Sequence, residues 1–231
     1  MPWSIKLNFW QQLSRNLGIR SSTPIITWLS PLARIELSGK TLLNAVSKSA
    51  NYLVENFESE IENEIQITLN NHWQSVVWHL AAVSSELNIS TASRNCFCFL
   101  ENLVQENNFV VSQDPFGLPE KNLPFDAHNV SLEVRVCPDL FLPPQGKFEN
   151  QIKISEEIYK ASQFDNLIAQ AIRDYSIKGN YALSIKNYSI TSIILQAFIP
   201  ALTNYSAVLL DEIPTDSNAI AAEKVTQIIE I

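Results

Sequence analysis

Residues 64–87, EIQITLNNHWQSVVWHLAAVSSEL, contain a strand, a turn and a helix in immediate succession. Residues 64–69 alternate between polar and apolar and are rich in β-branched residues, which predicts a strand. Asn70-Asn71 then turn the chain, and an apolar stripe at helical spacing follows: Trp73, Val76, Val77, Leu80, Val83 and Leu87. A strand that leads directly into a helix is the repeating unit of a parallel α/β sheet.

The same alternation continues along the 231-residue chain. Further helices are predicted over residues 6–17, 42–57 (with Ser38 as N-cap), 164–175, 190–202 and 218–229. Further strands are predicted over residues 24–29, 33–37, 96–100, 109–111, 132–136, 181–185 and 205–210, the first two forming a hairpin. We therefore expect a layered α/β fold with a mostly parallel sheet and helices on both faces.

Residues 138–157 show no regular pattern, and Pro143-Pro144-Gln145-Gly146 has the composition of a loop. We expect one domain over residues 1–231 that divides into lobes 1–138 and 158–231, joined by the loop 139–157. Asp114-Pro115-Phe116-Gly117 is a turn signal.

The composition excludes several functional classes. Sixteen Lys and Arg face 24 Asp and Glu, so the net charge is −8 and no basic cluster is present to bind nucleic acid. Polar residues interrupt the first 18 positions, as a signal peptide does not allow, and no apolar window has the length of a membrane helix. We expect a cytoplasmic protein without membrane or nucleic-acid partners.

Three cysteines are present: Cys96, Cys98 and Cys137. Cys96 and Cys98 alternate along an apolar strand, so a metal or redox pair is one interpretation. Zinc sites need a second pair or histidines at set spacing, and these are missing. We expect buried free thiols in a reducing cytoplasm and no metal site.

Two short stretches are candidate ligand-binding sites because each lies where a strand ends and a helix begins. The first is Asn70, Asn71 and His72, although Asn71 alone is also a good helix N-cap, the interpretation we favour. The second is Lys186, Asn187 and Tyr188.

His72 and His79 are seven residues apart on one side of the predicted helix, with Glu86 a further seven on. That spacing is too wide for a single metal ion. We expect this side of the helix to be a solvated or interface flank.

Several short sequence motifs, in their order along the chain, resemble those of a known family. They are residues 34–38 (RIELS) before the helix 42–57, residues 64–74, residues 179–184 (GNYALS) and residues 197–202 (AFIPAL). Together they resemble the N-terminal part of the AMP-dependent synthetases and ligases, which include acyl-CoA synthetases, luciferases and peptide-synthetase adenylation domains. The resemblance is strongest to short actinobacterial proteins of unknown function that are related to these enzymes, and it covers nearly the whole chain.

The chain also departs from that family. The resemblance implies a Ser/Thr/Gly-rich phosphate-binding loop at about residues 141–165, where the sequence offers only Gly146-Lys147. No position matches the family's adenine-, ribose- or metal-binding residues or its C-terminal lysine domain. An aromatic residue and a histidine shape the enzymes' acyl pocket near Lys186, Asn187 and Tyr188, and the histidine is missing here. No catalytic residue is carried over and no cofactor is predicted.

These observations favour a shortened, catalytically incomplete relative that acts through binding. We expect self-association as a homo-oligomer, or a protein partner, to cover apolar surface that the enzymes bury. A sensor that binds a nucleotide or acyl ligand is the alternative, and one part of a split acyl-adenylating ligase is a third. The sequence does not identify a small-molecule ligand.

Overall fold

The computed structural model describes residues 8–57, 64–69, 71–90, 93–103, 107–143, 151–154, 157–214 and 217–231. The strands are β1 (Pro24–Leu29), β2 (Arg34–Ser38), β3 (Glu64–Ile67), β4 (Asn88–Ile89), β5 (Asn95–Cys98), β6 (Asn107–Val110), β7 (His128–Asn129), β8 (Gln151–Ile154), β9 (Glu157–Lys160), β10 (Tyr181–Ser184), β11 (Ala207–Leu210) and β12 (Gln227–Glu230). The helices are α1 (Phe9–Ile19), α2 (Gly39–Asn56), α3 (Trp73–Ser84), α4 (Val130–Glu133), α5 (Ala161–Asp174), α6 (Ile190–Ile193), α7 (Ile199–Leu202) and α8 (Asn218–Ala222).

The described strands form two sheets. The first sheet has five strands in the order β12-β10-β11-β1-β2, parallel except for the edge strand β2. The second has seven strands in the order β7-β6-β5-β3-β4-β8-β9, parallel except for the edge strand β9. The predicted fold class, a layered α/β protein with mostly parallel strands, is confirmed, but the strands are divided between two sheets where one was predicted.

Helix α3 lies between the two sheets. It packs beside α2 and contacts β1 of the first sheet as well as β3 and β4 of the second. All of its residues from Gln74 to Ser84 are buried, as is typical of a helix with apolar residues on every face. One large apolar core therefore includes residues of both sheets, and a smaller cluster on the other face of the first sheet includes Ile220 of α8.

The first sheet joins segments that are distant in sequence. The hairpin β1–β2 lies beside strands that come after residue 180, so the sheets do not follow the division into residues 1–138 and 158–231. The buried guanidinium of Arg20 donates to the carbonyl oxygens of Pro200 (2.8 Å), Thr203 (2.7 Å) and Tyr205 (2.8 Å). A cation at the end of a helix satisfies its last carbonyl groups, so Arg20 fixes α7 and the approach to β11.

Local signals located several elements well. Strand β1 coincides with the prediction, and the Ser38 side chain caps α2 by accepting from the backbone N–H of Thr41. The predicted turn closes through a bond from the Gly117 N–H to the Asp114 carbonyl (2.8 Å), with Gly117 at a φ of 64°. The predicted helix 190–202 is continuous, but its middle, Ile194–Phe198, is a π-helical turn.

The predicted strand over residues 132–136 is wrong. This segment is α4 followed by the 3-10 turn Val134–Val136. The Asn129 side chain accepts from the backbone N–H of Leu132 and so caps a helix (3.3 Å). Leu132 and Val136 are 54% and 88% exposed, and of the three alternating apolar residues only Val134 between them packs against the core.

Two further predictions need correction. The last helix was predicted over residues 218–229, but α8 ends at Ala222 and the edge strand β12 follows. Residues 138–157 were predicted to lack structure, whereas β8 lies in this range and pairs antiparallel with β9. Residues 144–150, which include Gly146-Lys147, lie outside the described residues. Among the helices described, none has both the length and the apolar content needed to cross a membrane.

Helix α2 holds the segment that follows α4. The Lys48 ammonium donates to the carbonyl oxygens of Arg135 (3.0 Å) and Cys137 (2.8 Å) and forms an ion pair with Asp139 (3.0 Å). One turn on, the Asn51 amide donates to the carbonyl oxygens of residues 138 and 140 (both 3.0 Å). These bonds fix the path of residues 135–140 over the surface of α2.

We expect Gly39→Ala to lower the free energy of unfolding by about 1–3 kcal/mol. A methyl group on Gly39 would overlap the backbone carbonyl oxygens of Leu17 and Arg20, the latter at 2.5 Å, so α1 and α2 would have to move apart. Urea denaturation followed by circular dichroism measures this change.

Gly18→Ala is the matched control, because a methyl group on Gly18 meets no atom within 4 Å. This change within α1 should stabilise the protein by about 0.5–1 kcal/mol. Equal stability of Gly39→Ala and the wild type would contradict the close approach of the two helices.

Candidate functional site

The carboxyl ends of β3 and β10 are joined by the side chain of Asn71. Its amide nitrogen donates to the carbonyl oxygen of Ile185 (2.9 Å), and its amide oxygen accepts from the backbone N–H of the same residue (3.0 Å). The prediction that Asn71 caps α3 is therefore wrong. His72 is the N-cap instead, with its Nδ1 accepting from the backbone N–H of Gln74 (3.2 Å).

His72 is 4% exposed and lies among aromatic side chains. The centre of its ring is 4.5 Å from that of Trp28, 5.3 Å from that of Phe99 and 5.6 Å from that of Trp73. Burial lowers the pKa of His72 to about 3, so the ring is neutral at physiological pH. Within the described part of the chain, its Nε2 has no hydrogen-bond partner.

His79 is fully buried, so the predicted solvated or interface flank is wrong for both histidines. Its Nδ1 lies 2.6 Å from the carbonyl oxygen of Ser75, and its Nε2 pairs with the Tyr188 hydroxyl. A carbonyl only accepts, so Nδ1 carries the proton and Nε2 accepts from Tyr188. Burial lowers the pKa of His79 to about 4, which keeps this arrangement neutral.

Tyr188 is 37% exposed, but its hydroxyl points inward to His79. Burial raises the pKa of Tyr188 above its ordinary value, although the side chains of Ser75 and Gln196 lie close enough to offset part of that shift. Gln196 is fully buried in the π-helical turn, and its amide lies near the Tyr188 hydroxyl but makes no hydrogen bond of good geometry among the described residues. Turns of this kind are frequent at functional sites.

The other predicted residues are placed differently. Lys186 and Asn187 are exposed, and their backbone N–H groups donate to the carbonyl oxygen of Ile231 after β12. The Lys186 ammonium also forms an ion pair with Glu230 (2.7 Å). Asn70 lies outside the described residues. Of the predicted residues, Asn71 and Tyr188 thus have buried partners near the carboxyl ends of β3 and β10. His72 packs against Trp28, and Lys186 and Asn187 lie at the surface.

Sequence reasoning missed the roles of His79 and Gln196. For His79 the usable signal was the run from Val76 to Val83, which is otherwise apolar on every face of a helix. Such a run indicates that a polar residue within it is completely buried. In the part of the chain that is described, no three His, Cys, Asp or Glu side chains come together as a metal site.

Solved structures with a similar fold include ligases and an acyl-CoA synthetase. A mutant form of coronafacic acid ligase from Pectobacterium brasiliense matches with a TM-score of 0.72 at 12% identity, over 97% of this chain and 50% of that one. An acyl-CoA synthetase from Brucella canis matches with a TM-score of 0.70 at 13% identity, over 97% of this chain and 47% of that one. A fatty acyl-adenylate ligase from L. pneumophila, solved with acyl adenylate and pyrophosphate, matches with a TM-score of 0.64 at 8% identity, over 96% of this chain and 44% of that one.

This chain has the fold of the N-terminal part of an adenylate-forming ligase. It spans about half the length of each of these ligases. In sequence, a Mycobacterium tuberculosis protein that carries only a family designation is 30% identical over 126 residues, which cover 48% of this chain and 51% of that protein. No family model matches the chain. The junction of Asn71 with Ile185 therefore lies in a ligase-like fold, at the carboxyl ends of its strands.

We expect the free energy of unfolding to fall as the pH is lowered from about 6.5 toward 4. The pKa values of His79 and His72 in the folded protein, about 4 and about 3, lie below the value near 6.5 of an unfolded chain. The unfolded state therefore binds protons first, which costs about 1.4 kcal/mol per pH unit for each histidine. Urea denaturation at pH 7, 6 and 5 measures the slope.

His79→Gln should remove about half of the histidine contribution to this slope, since only His72 then remains buried. His128→Gln is the control, because His128 is exposed in β7. If His79→Gln and the wild type show the same slope between pH 6.5 and 5, His79 is not held neutral in the folded protein.

Proposed function

We propose that this chain is a catalytically incomplete relative of the adenylate-forming ligases that acts by binding and does not form adenylates. The supporting observation is that polar groups at the ends of its strands are already bonded to other groups of the same chain. Open α/β sheets bind ligands at the carboxyl ends of their strands. Here Asn71 is bonded to Ile185, Tyr188 to His79 and Lys186 to Glu230. A substrate would have to break these internal bonds to use the same groups.

The electrostatics of this junction also favour binding without chemistry. Adenylate formation develops negative charge at a phosphate, which enzymes stabilise with cations and oriented donors. His72 and His79 are neutral because burial lowers the pKa of each. Lys186, the nearby ammonium, is paired with a carboxylate. Neither histidine supplies positive charge for a phosphate at neutral pH.

An exposed apolar surface supplies a binding face for a protein. Within residues 116–142 the exposed apolar side chains are Phe116, Leu118, Phe125, Leu132, Val136, Leu140 and Leu142. The Arg135 guanidinium donates to the Gly117 carbonyl (3.1 Å), so the turn and the segment after α4 lie side by side. Apolar patches of this kind mark interaction sites. A second copy of this chain or another protein would cover this face.

We place this protein in the cytoplasm. Its three cysteines, Cys96, Cys98 and Cys137, are unpaired and buried, which suits a reducing compartment.

A small-molecule sensor is the second candidate, and Gln196 is the observation that favours it. A buried amide without partners costs about 1–3 kcal/mol for each unsatisfied group. A ligand that reached this buried amide beside Tyr188 and offered one donor and one acceptor would complete the hydrogen bonds of Gln196 and recover that energy. Such binding needs no reactive group.

Calorimetric titration with Mg-ATP, and then with AMP and a medium-chain fatty acid, tests the first proposal. We expect no saturable heat, because the groups at the strand ends are bonded to the chain itself. Binding of Mg-ATP with a dissociation constant below about 1 mM, or about 4 kcal/mol, would contradict the proposal. Saturable binding of AMP or the fatty acid by a monomer, lost in Gln196→Leu, would favour the sensor.

The apolar face has its own test in the binding of the dye ANS and in light scattering over a range of concentrations. We expect Val136→Asp to weaken dye binding and any self-association, because Val136 is 88% exposed within residues 116–142. Leu32→Asp is the matched control, since Leu32 is equally exposed (85%) but lies in the β1–β2 hairpin. A wild-type monomer that binds no dye would exclude this face as a binding surface.

A further inference from the structure

The second sheet carries a pair of thiols on the face that points away from the main core. Side chains alternate along a strand, and Phe97 of β5 belongs to the core. Cys96 and Cys98, on either side of it, therefore share the opposite face. Both are completely buried, and neither belongs to either apolar cluster.

Polar side chains surround the two thiols. In the register of the sheet, Cys96 lies between Gln66 of β3 and Asn108 of β6. The Thr68 hydroxyl is 3.7 Å from the Cys96 sulfur, and the Cys98 sulfur is 3.7 Å from the Asn108 amide oxygen. Gln66, Thr68 and Asn108 are half-buried, so the thiols lie one side chain below the surface.

The separation of the two cysteines suits a bridging ion better than a disulfide. The Cα atoms of residues two apart on a strand are about 6.6 Å apart. Because their side chains are nearly parallel, the Cβ atoms are about as far apart, whereas a disulfide needs Cβ atoms about 3.5–4.5 Å apart. A metal ion with bonds of about 2.3 Å bridges sulfur atoms that are about 4.6 Å apart.

We propose that Cys96 and Cys98 form a two-coordinate thiolate site for a soft monovalent cation of the Cu(I) type. Thiolate ligands select such ions, and a linear two-coordinate ion needs no third ligand. On binding, two S–H bonds lose their protons to solvent and two metal–sulfur bonds form, while the oxidation state of the metal stays unchanged. The Thr68 hydroxyl donates to the Phe97 carbonyl oxygen (3.3 Å) and lies 3.7 Å from the Cys96 sulfur, so it can turn to donate to that sulfur in the resulting anionic pair.

The test uses Ag(I), which has the same coordination preference and does not change oxidation state. Reduced protein is mixed with one equivalent of Ag(I) and an excess of glutathione, and the retained metal is counted by native mass spectrometry. The wild type should retain one ion. Cys96→Ser and Cys98→Ser should bind about 100-fold more weakly, because one thiol lacks the second, linked ligand. Cys137→Ser, which removes a buried but isolated thiol, should retain one ion.

Two results would overturn this site: loss of Ag(I) from the wild type, or equal retention by the wild type and both serine variants of the pair. Proton release by the wild type gives a check that needs no variant. At pH 6, each bound Ag(I) should release close to two protons, and release of a single proton would indicate one thiol only. Uptake of Ag(I) as slow as global unfolding, measured in parallel, would assign the binding to the unfolded chain and also overturn it.

Discussion

Helix α3 is buried on every side, so its polar side chains must find their hydrogen-bond partners inside the protein. Ser84 and the Nδ1 of His79 bond to carbonyl groups of the helix itself, but two other bonds tie the helix to other elements. The Gln74 amide donates to the carbonyl oxygen of Ser112 beyond β6 (2.6 Å), and His79 pairs with Tyr188 beyond β10. The two sheets are therefore held in one arrangement by a few directional bonds, in addition to the apolar contacts of the shared core.

The same requirement shapes the candidate site. In an open α/β fold, polar groups at the strand ends are available to a ligand. Here Asn71 in the loop after β3 is bonded to Ile185 after β10. Tyr188, further along the second loop, is bonded to His79 of α3, so these polar groups satisfy one another. Gln196 and the Nε2 of His72 are exceptions, since neither has a partner in good hydrogen-bond geometry among the described residues, although the Gln196 amide lies near Tyr188. Any ligand chemistry that remains at this junction is expected to involve that amide.

The structural elements that depend on local sequence signals were predicted correctly. Strand β1, the cap at Ser38 and the turn at Gly117 follow from residues within a few positions of each other. Long-range effects were not predictable in the same way. Residues 132–136 alternate like a strand, but the capping bond from Asn129 makes them helical. The burial of His79 depends on a second sheet covering α3, which a helical stripe on one face does not reveal.

The bond between Arg20 and Pro200 joins positions 180 residues apart, and β1 pairs with β11 across a similar separation. A ribosome produces β1 and β2 early and β11 late. During that interval one edge of β1 has no partner, and unpaired edges are sites of incorrect strand pairing. Folds that depend on such distant contacts also form slowly. A newly made chain should therefore depend on chaperones until its last strands emerge.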